Sequence, residues 1–481
     1  MRAGLRGALL SSSGVFGSAL CWVLSFKVLA YWLGPEGVGL FAQLRQLAQT
    51  ATLGATYGGT NVVVQGLSVR NDEGSRRQFR AMAARLIGFA GLGVVLLMLT
   101  GAPLITQFIL SSDAPELISA MRWLALAVLL NIVATYMLAV LNGYRSHVYL
   151  AIAQVAGPAL LSLFLVAAWL GMPIPSTFAL VGAFVLCFGM TCLVGAWGVS
   201  RLPEREAGKQ AVSLPAHQQA REFMGFALSS LIAALSSVAV LLVIRSWIIE
   251  AKGLAFSGLF DAGWTLTFNY TTLFLTACNM MYLPMLAAAT SIEQQKATML
   301  KAAYLVLGIS LLMGYAMVLW QGPLIHLFYN SQFEASGPVL SILVIAVVFR
   351  GISWTYGTMM LATRKSGVLL VSDLALSAAL LVTTRYALDN EGTLEALGWA
   401  FVLPHFIYLA FVIEYVRLKN PLMHRRHIWP LLGAGSAPLV YLALMSSDLH
   451  WSISSPEKMF YMAIGLVTSL MAYNVFRKLE A

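Results

Sequence analysis

The sequence predicts an all-α, polytopic membrane protein of about fourteen transmembrane helices, and three observations support this fold class. Of its 481 residues, 59% are hydrophobic and only 10% are charged, whereas an average soluble domain has about 25% charged residues. Apolar stretches long enough to cross a hydrocarbon core of about 30 Å recur along the whole chain. The alternation of apolar and polar residues that is typical of membrane barrels is absent.

The predicted spans are bounded by charged residues or by turns that contain glycine or proline. The first is too long for the apolar core of a signal peptide and is not followed by a cleavage site of small residues, so it should remain in the protein. The fourteen spans cover 10–33, 41–68, 81–110, 119–141, 149–170, 177–199, 223–247, 257–286, 300–320, 337–362, 367–386, 396–416, 428–446 and 457–476.

The spans fall into two groups of six with a pair at the end. The triplet Gly39-Leu40-Phe41 opens the second span of the first group, and Gly258-Leu259-Phe260 opens the second span of the next group. Because six is an even number, both groups would have the same orientation, as in transporters built from parallel repeats. The predicted division is an N-terminal six-helix lobe at 1–200, a cytoplasmic linker at 201–222, a C-terminal six-helix lobe at 223–417 and an additional two-helix extension at 418–481.

The net charge of +10 is explained by the placement of the basic residues. If the N-terminus is cytoplasmic and the spans alternate, most lysines and arginines fall in cytoplasmic segments, and the opposite loops carry acidic residues such as Glu36, Asp113 and Glu334. This is the positive-inside asymmetry of membrane proteins. It predicts that both termini are cytoplasmic. It also explains the positive net charge without a nucleic-acid partner.

The second span is too polar for an ordinary membrane helix. It follows a tight glycine-rich turn at 33–39 and carries Arg45, Gln46, Gln49, Asn61 and Gln65 among small and apolar residues. Many of its polar residues recur every three or four positions, which places them on one helical face. Such a stripe suits the wall of a water-filled cavity that binds hydroxyl or amide groups. The alternative is that these amides bridge neighbouring membrane helices.

Further charges lie inside predicted spans: Lys27 in the first, Arg245 in the seventh, Arg350 in the middle of the tenth, Asp261 in the eighth and Asp373 in the eleventh. Charges in hydrocarbon are costly and mark functional candidates. The cations are candidate substrate-binding residues. The two carboxylates are candidates for ion coupling or ion pairing, and Asp373 is the candidate ion-pair partner of Arg350. Snorkelling to the membrane surface is the alternative for Arg245 and Asp261.

No nucleophile–base pair, metal-ligand cluster or glycine-rich nucleotide loop is present in the sequence. The four cysteines, Cys21, Cys187, Cys192 and Cys278, all lie in apolar segments. They indicate neither a disulfide framework nor a metal site. The sequence therefore predicts no cofactor, no bound metal and no enzymatic activity.

The hairpin Leu33-Gly34-Pro35-Glu36-Gly37-Val38-Gly39-Leu40, with Leu44-Arg45-Gln46-Leu47 after it, resembles the Wzx-type flippases of lipid-linked oligosaccharides. These belong to the polysaccharide transporter family within the MATE-like superfamily. The likeness extends to Arg245, Tyr282-Leu283-Pro284, Arg350 and Asp373, and covers roughly residues 5–420. Among these flippases of O-antigen and enterobacterial common antigen precursors, the chain looks closest to the branch that handles enterobacterial common antigen. The final pair of spans departs from the twelve-helix pattern.

The resemblance implies two six-helix lobes around a central, cationic cavity that works by alternating access. The substrate would be an undecaprenyl-diphosphate-linked oligosaccharide, moved from the cytoplasmic to the periplasmic leaflet of the bacterial inner membrane during lipopolysaccharide and other surface polysaccharide synthesis. A polysaccharide polymerase and a chain-length regulator are the protein partners that it implies. The rival interpretations are a MATE-like drug antiporter, an exporter of another lipid-linked precursor, a membrane polysaccharide polymerase and a scaffold without transport.

Overall fold

The structure is a computed structural model that describes residues 2–58, 60–68, 70, 72–171, 176–202, 216–289, 291–362, 366–419, 428–446 and 455–478. Of these residues 93% are helical, and none of them lies in a strand. Ten of the described segments are long and apolar enough to cross a membrane. The prediction of an all-α, multi-pass membrane protein is confirmed.

The sixteen α-helices of the described residues are numbered in chain order. They are α1 (Arg2–Ala55), α2 (Asn61–Ser68), α3 (Glu73–Thr100), α4 (Ala102–Leu110), α5 (Pro115–Gly143), α6 (His147–Trp169), α7 (Ser176–Ser200), α8 (Ala216–Trp264), α9 (Tyr270–Ala288), α10 (Ile292–Leu319), α11 (Gln321–Phe328), α12 (Gly337–Ala362), α13 (Ser366–Asn390), α14 (Leu394–Lys419), α15 (Trp429–Met445) and α16 (Ser455–Lys478). A π-helical turn, Thr265–Asn269, joins α8 to α9, and a 3₁₀ turn, Ser331–Ser336, precedes α12.

Two long helices, α1 and α8, each contain one predicted span and the beginning of the next, joined at a kink. Gly34 has φ 62° and ψ −160°, and Gly253 has φ 85° and ψ 174°. This backbone region is open almost only to glycine. In place of the predicted tight turn at 33–39, the chain therefore changes direction at a single glycine and resumes the helix at once.

The repeat indicated by the two Gly-Leu-Phe triplets extends to the ends of helices. Gly34 and Gly253 precede their triplets by the same spacing. The two kinks lie about 220 residues apart in the sequence. The same separation is found between the α3–α4 break and the α10–α11 break, and between the starts of α6 and α13. Each half therefore has a kinked helix pair followed by a span that ends in a short helix.

The predicted second span, 41–68, is wrong as a single helix. Helix α1 ends at Ala55, Tyr57 and Gly58 have positive φ values of 52° and 89°, and α2 begins only at Asn61. A side chain at Gly58 would come within 2.6 Å of the backbone carbonyl of Ser230, so the close approach requires glycine. The predicted third span, 81–110, is likewise divided into α3 and α4.

The chain forms two compact units, Met1–Ala255 and Phe256–Ala481. Within the first unit, α6 packs against α1 and α7, and α7 also packs against α5. Residues 223–255, expected in the C-terminal lobe, belong to this unit. Most of the predicted linker, 203–215, lies outside the described residues, and the predicted lobe limits stay a prediction.

In the second unit, α12 is the central helix and packs against α10 and α14. The last two helices, α15 and α16, pack against α10. The hydroxyl of Tyr315 on α10 donates a hydrogen bond to the carbonyl of Gly435 on α15 at 2.8 Å. The hydroxyl of Ser469 on α16 donates to the carbonyl of Gly308 on α10 at 2.7 Å. The predicted two-helix extension is therefore a packed part of this unit.

Candidate functional site

In the first unit, the amides of α1 hold the arginine of α8. Gln46 is 6% exposed and Arg245 is 4% exposed. The guanidinium of Arg245 donates to Oε1 of Gln46 at 3.2 Å and to the carbonyl of Ala42 at 3.4 Å. The amide nitrogen of Gln46 donates to the carbonyl of Val238 at 2.7 Å. Gln46 thus acts as a bridge between helices, which is the alternative role for the polar stripe.

Gln43, one helical turn before Gln46, makes a second bridge. Its side-chain amide donates to the hydroxyl of Ser246 at 2.9 Å and to the carbonyl of Ile109 at 3.2 Å. It therefore ties α1 to both α8 and α4. A buried amide that fixes three helices in register gives Arg245 a rigid setting within this unit.

Lys27 and Arg45 lie on aromatic rings of α1. The ammonium of Lys27 is 5.2 Å from the ring centre of Tyr31, and the guanidinium of Arg45 is 4.2 Å from that of Trp22. Arg45 is also 5.7 Å from the ring centre of Phe26. Because Trp22 and Phe26 precede the kink and Arg45 follows it, the two halves of α1 lie side by side. The aromatic faces stabilise these cations without adding negative charge.

The remaining amides of the predicted stripe differ in burial from Gln46. Gln49, Asn61 and Gln65 are exposed. Asn61 and Gln65 do not continue the face of Arg45 and Gln49, because the chain leaves the helix between Ala55 and Asn61. The predicted continuous stripe is therefore wrong at this break, and its two parts lie on different helices.

In the second unit, Arg350 lies in the middle of α12 and is partly buried. Its guanidinium donates to the hydroxyl of Thr272 at 3.1 Å and lies 5.2 Å from the ring centre of Phe268. Phe268 belongs to the π-helical turn, and such turns often occur at functional sites. Its ring stacks on Trp264 with centres 4.0 Å apart and lies 5.5 Å from His405.

The expected ion pair between Arg350 and Asp373 does not form among the described residues. Asp373 instead accepts a hydrogen bond from the hydroxyl of Tyr408 on α14 at 2.5 Å, while Arg350 bonds to Thr272. Each charged group therefore has a hydroxyl as its hydrogen-bond partner, and the two charged groups are not paired with each other. Asp261, on the segment after the second kink, is 1% exposed, so this carboxylate is buried within the unit.

Sequence reasoning did not assign roles to several residues that build these sites. Gln43 was visible only as one more amide of the polar span. Ser246 is a single hydroxyl in an apolar stretch, and Thr272 is one of several threonines between residues 265 and 276. The only sequence feature that could have indicated the π-helical turn is Gly263, two residues before it. In the structure, an added Cβ at Gly263 would come within 2.8 Å of Val339. Trp264, next to this turn, stacks on Phe268 and so lies in the aromatic cluster around Arg350.

Comparisons of the sequence with protein-family models and with curated proteins find no match. Solved structures do match the fold. An inward-facing multidrug resistance MATE family transporter of the MOP superfamily gives a TM-score of 0.71 at 15% identity, covering 84% of this chain and 94% of that chain. The lipid II flippase MurJ, in an inward closed conformation, gives 0.67 at 11% identity, covering 98% and 100%.

A MOP superfamily transporter from Pyrococcus furiosus, described as having a binding pocket of reverse polarity, gives a TM-score of 0.64 at 16% identity over 87% of this chain and 95% of that chain. Because these identities are low, the structural matches show a common fold and nothing more specific. The chain therefore has the fold shared by these transporters and by the lipid II flippase.

Proposed function

We propose that this protein flips an undecaprenyl-diphosphate-linked oligosaccharide from the cytoplasmic to the periplasmic leaflet of the bacterial inner membrane. The sequence resemblance to the Wzx-type flippases supports this substrate, and the fold common to a lipid flippase supports the type of transport. A polysaccharide polymerase and a chain-length regulator would then act on the product. Both termini would lie in the cytoplasm.

The observation that carries the proposal is the environment of Arg350. Within the described part of the chain, its partners are the hydroxyl of Thr272 and the ring of Phe268, both of which are neutral. A cation at mid-span that lacks a carboxylate partner favours an anionic ligand, because an uncompensated charge in a low-dielectric setting is costly. A planar guanidinium is well suited to the paired oxygens of a diphosphate.

The polar residues of the first unit suit the carbohydrate part of the substrate. Gln49, Asn61 and Gln65 are exposed within helices of an otherwise apolar region, and amides exposed to hydrocarbon would be unfavourable. We infer that they face water and bind sugar hydroxyls. Lys27, Arg45 and Arg245 are proposed to provide the positive potential that attracts the diphosphate, and Gln46 is proposed to hold Arg245 in place within the binding region.

The membrane potential favours this direction of transport. When an anion moves outward across a membrane that is negative inside, its free energy falls by about 2.3 kcal/mol per charge per 100 mV. Asp261 and Asp373 are the proposed sites if an ion is coupled to transport. The hydroxyl of Tyr408 donates to Oδ1 of Asp373, so the other carboxylate oxygen is the proposed position of a coupled proton.

The test uses cells that lack their own copy of the protein. Arg350→Ala should reduce surface glycan and cause lipid-linked precursor to accumulate, because it removes the proposed diphosphate ligand. The matched control is Arg385→Ala. Arg385 is an exposed arginine that pairs with Asp389 at 3.1 Å near the end of α13. Equal glycan levels in both variants, with equal insertion into the membrane, would contradict the proposal.

A second candidate is the export of small cationic molecules, favoured by the TM-score of 0.71 with a MATE transporter. The aromatic cluster around Phe268 is a surface on which a flat cation could stack. This function predicts that the wild-type chain raises resistance to cationic dyes and that Arg350→Ala improves their export. The flippase proposal predicts no resistance in either case.

A further inference from the structure

A cavity of about 270 Å³ lies within the first unit where the start of α3 meets the end of α7. Two arginines, Arg77 and Arg80, line one side together with Glu73. Met137, Val199 and Leu202 contribute apolar lining, and Ser200 contributes a hydroxyl. The cavity is separate from the residues assigned above to the transported substrate.

The basic side of the cavity has a fixed structure. The hydroxyl of Tyr144 donates to a carboxylate oxygen of Glu73 at 2.6 Å. The guanidinium of Arg80 lies 5.7 Å from the ring centre of the same tyrosine, and the backbone carbonyl of Arg80 accepts a hydrogen bond from Tyr136 at 2.9 Å. Glu73 partly opposes the positive charge, but its bond to Tyr144 turns one oxygen away from a ligand. Two cations and one engaged carboxylate leave a net positive pocket.

Aromatic residues near this cavity are of the kinds that are enriched at the membrane surface. Trp197, one turn before the end of α7, is 46% exposed and packs edge-to-face on Tyr149 with ring centres 5.0 Å apart. Tryptophan and tyrosine are enriched at the head-group level. Further along α3, large apolar side chains point outward: Phe89 is 75% exposed and Leu92 is 54% exposed. The pocket therefore lies at the N-terminal end of α3, and the exposed apolar surface that follows it along this helix suits acyl chains.

We propose that this cavity binds the phosphate of an anionic membrane lipid, with Arg77 and Arg80 as its ligands and the outer surface of α3 beside the acyl chains. A basic pocket with apolar lining, close to aromatic residues of the interfacial kinds, matches the boundary between a lipid head group and its tails. A soluble phosphate would use the same two arginines but would gain nothing from the apolar surface. The lipid here is a bound ligand of the fold, independent of the molecule that is transported.

The test is lipid binding to the purified full-length chain, measured by native mass spectrometry during titration with phosphatidylglycerol. The double variant Arg77→Gln/Arg80→Gln should bind this lipid about 25-fold more weakly, because each arginine near an anionic lipid is worth roughly a factor of five. The matched control is Arg85→Gln, an exposed arginine on the same helix that does not line the cavity. It should bind as the wild type does.

Three further outcomes decide the proposal. Phosphatidylcholine should bind much more weakly than phosphatidylglycerol to the wild type, and equal binding would overturn it. Inorganic phosphate at the same concentration should not displace the lipid, and displacement would show a site for soluble anions instead. If the double variant fails to fold, Arg77→Gln alone is used, since its side chain is exposed. A weakening in Arg85→Gln equal to that in Arg77→Gln would also overturn the proposal.

Discussion

The kink at Gly253 offers a sharp test of the fold, because its cost can be separated from packing. Its φ of 85° and ψ of 174° lie in a region that costs a residue with a side chain about 1–3 kcal/mol. An added Cβ there would meet no heavy atom within 4 Å. Gly253→Ala therefore changes the backbone energy alone.

The matched control is Gly93→Ala in the interior of α3, where an added Cβ also meets open space. Alanine is favoured over glycine at such a helical position by about 0.5–1 kcal/mol. The two substitutions make the same chemical change with opposite expected signs. Their difference is therefore about 1.5–4 kcal/mol.

The assay is thermal unfolding of both purified variants in the same detergent. At about 2–4 °C per kcal/mol, Gly253→Ala should unfold roughly 2–12 °C below the wild type, and Gly93→Ala at or slightly above it. A midpoint for Gly253→Ala that equals or exceeds that of Gly93→Ala would refute the kinked backbone.

Three further predictions concern the first unit. Gln46→Leu should lower the stability by about 1–3 kcal/mol because it removes the hydrogen bonds of a buried amide to Arg245 and Val238. Gln49→Leu, at an exposed position, should stay within about 0.5 kcal/mol in the same unfolding assay. Gly58→Ala should destabilise more than Gly253→Ala, since the new Cβ would meet backbone at 2.6 Å as well as an unfavourable φ of 89°; a smaller loss would contradict the close approach. The backbone amide of Ser75 donates to Asp72 and lowers the pKa of that carboxyl from its ordinary 3.8. The stabilisation from this hydrogen bond is therefore present above pH 3.8 and is lost as the pH falls through the lowered pKa of Asp72. Asp72→Asn should flatten the acid side of the stability–pH curve. An unchanged curve would contradict the bond between Ser75 and Asp72 at the start of α3.

The spans and their order were predictable because membrane helices must satisfy their backbone internally and present apolar side chains to lipid. The bounds of α12, Gly337–Ala362, coincide with a predicted span for this reason. The broken spans were not predictable. The turn after Ala55 depends on the approach of Ser230 to Gly58, which is a contact between segments far apart in sequence.

The candidate sites show the same division. The charged residues were visible because charge is rare in apolar helices, but their partners were not. Asp373 was the expected partner of Arg350 because opposite charges attract, whereas the structure pairs them with Thr272 and Tyr408. The sequence also could not separate Gln46, which bridges helices, from Gln49, which is exposed. Burial and rotation of a helix are set by tertiary packing.

The most direct test of the proposed function is transport by the purified protein in liposomes that carry an undecaprenyl-diphosphate-linked oligosaccharide. The sugar that reaches the opposite leaflet is detected by a lectin added outside. We expect wild-type chain and Arg385→Ala to expose the sugar far faster than empty liposomes, and Arg350→Ala to match empty liposomes. Exposure at the wild-type rate by Arg350→Ala, or no exposure by the wild type while a cationic dye is transported, would contradict the proposal.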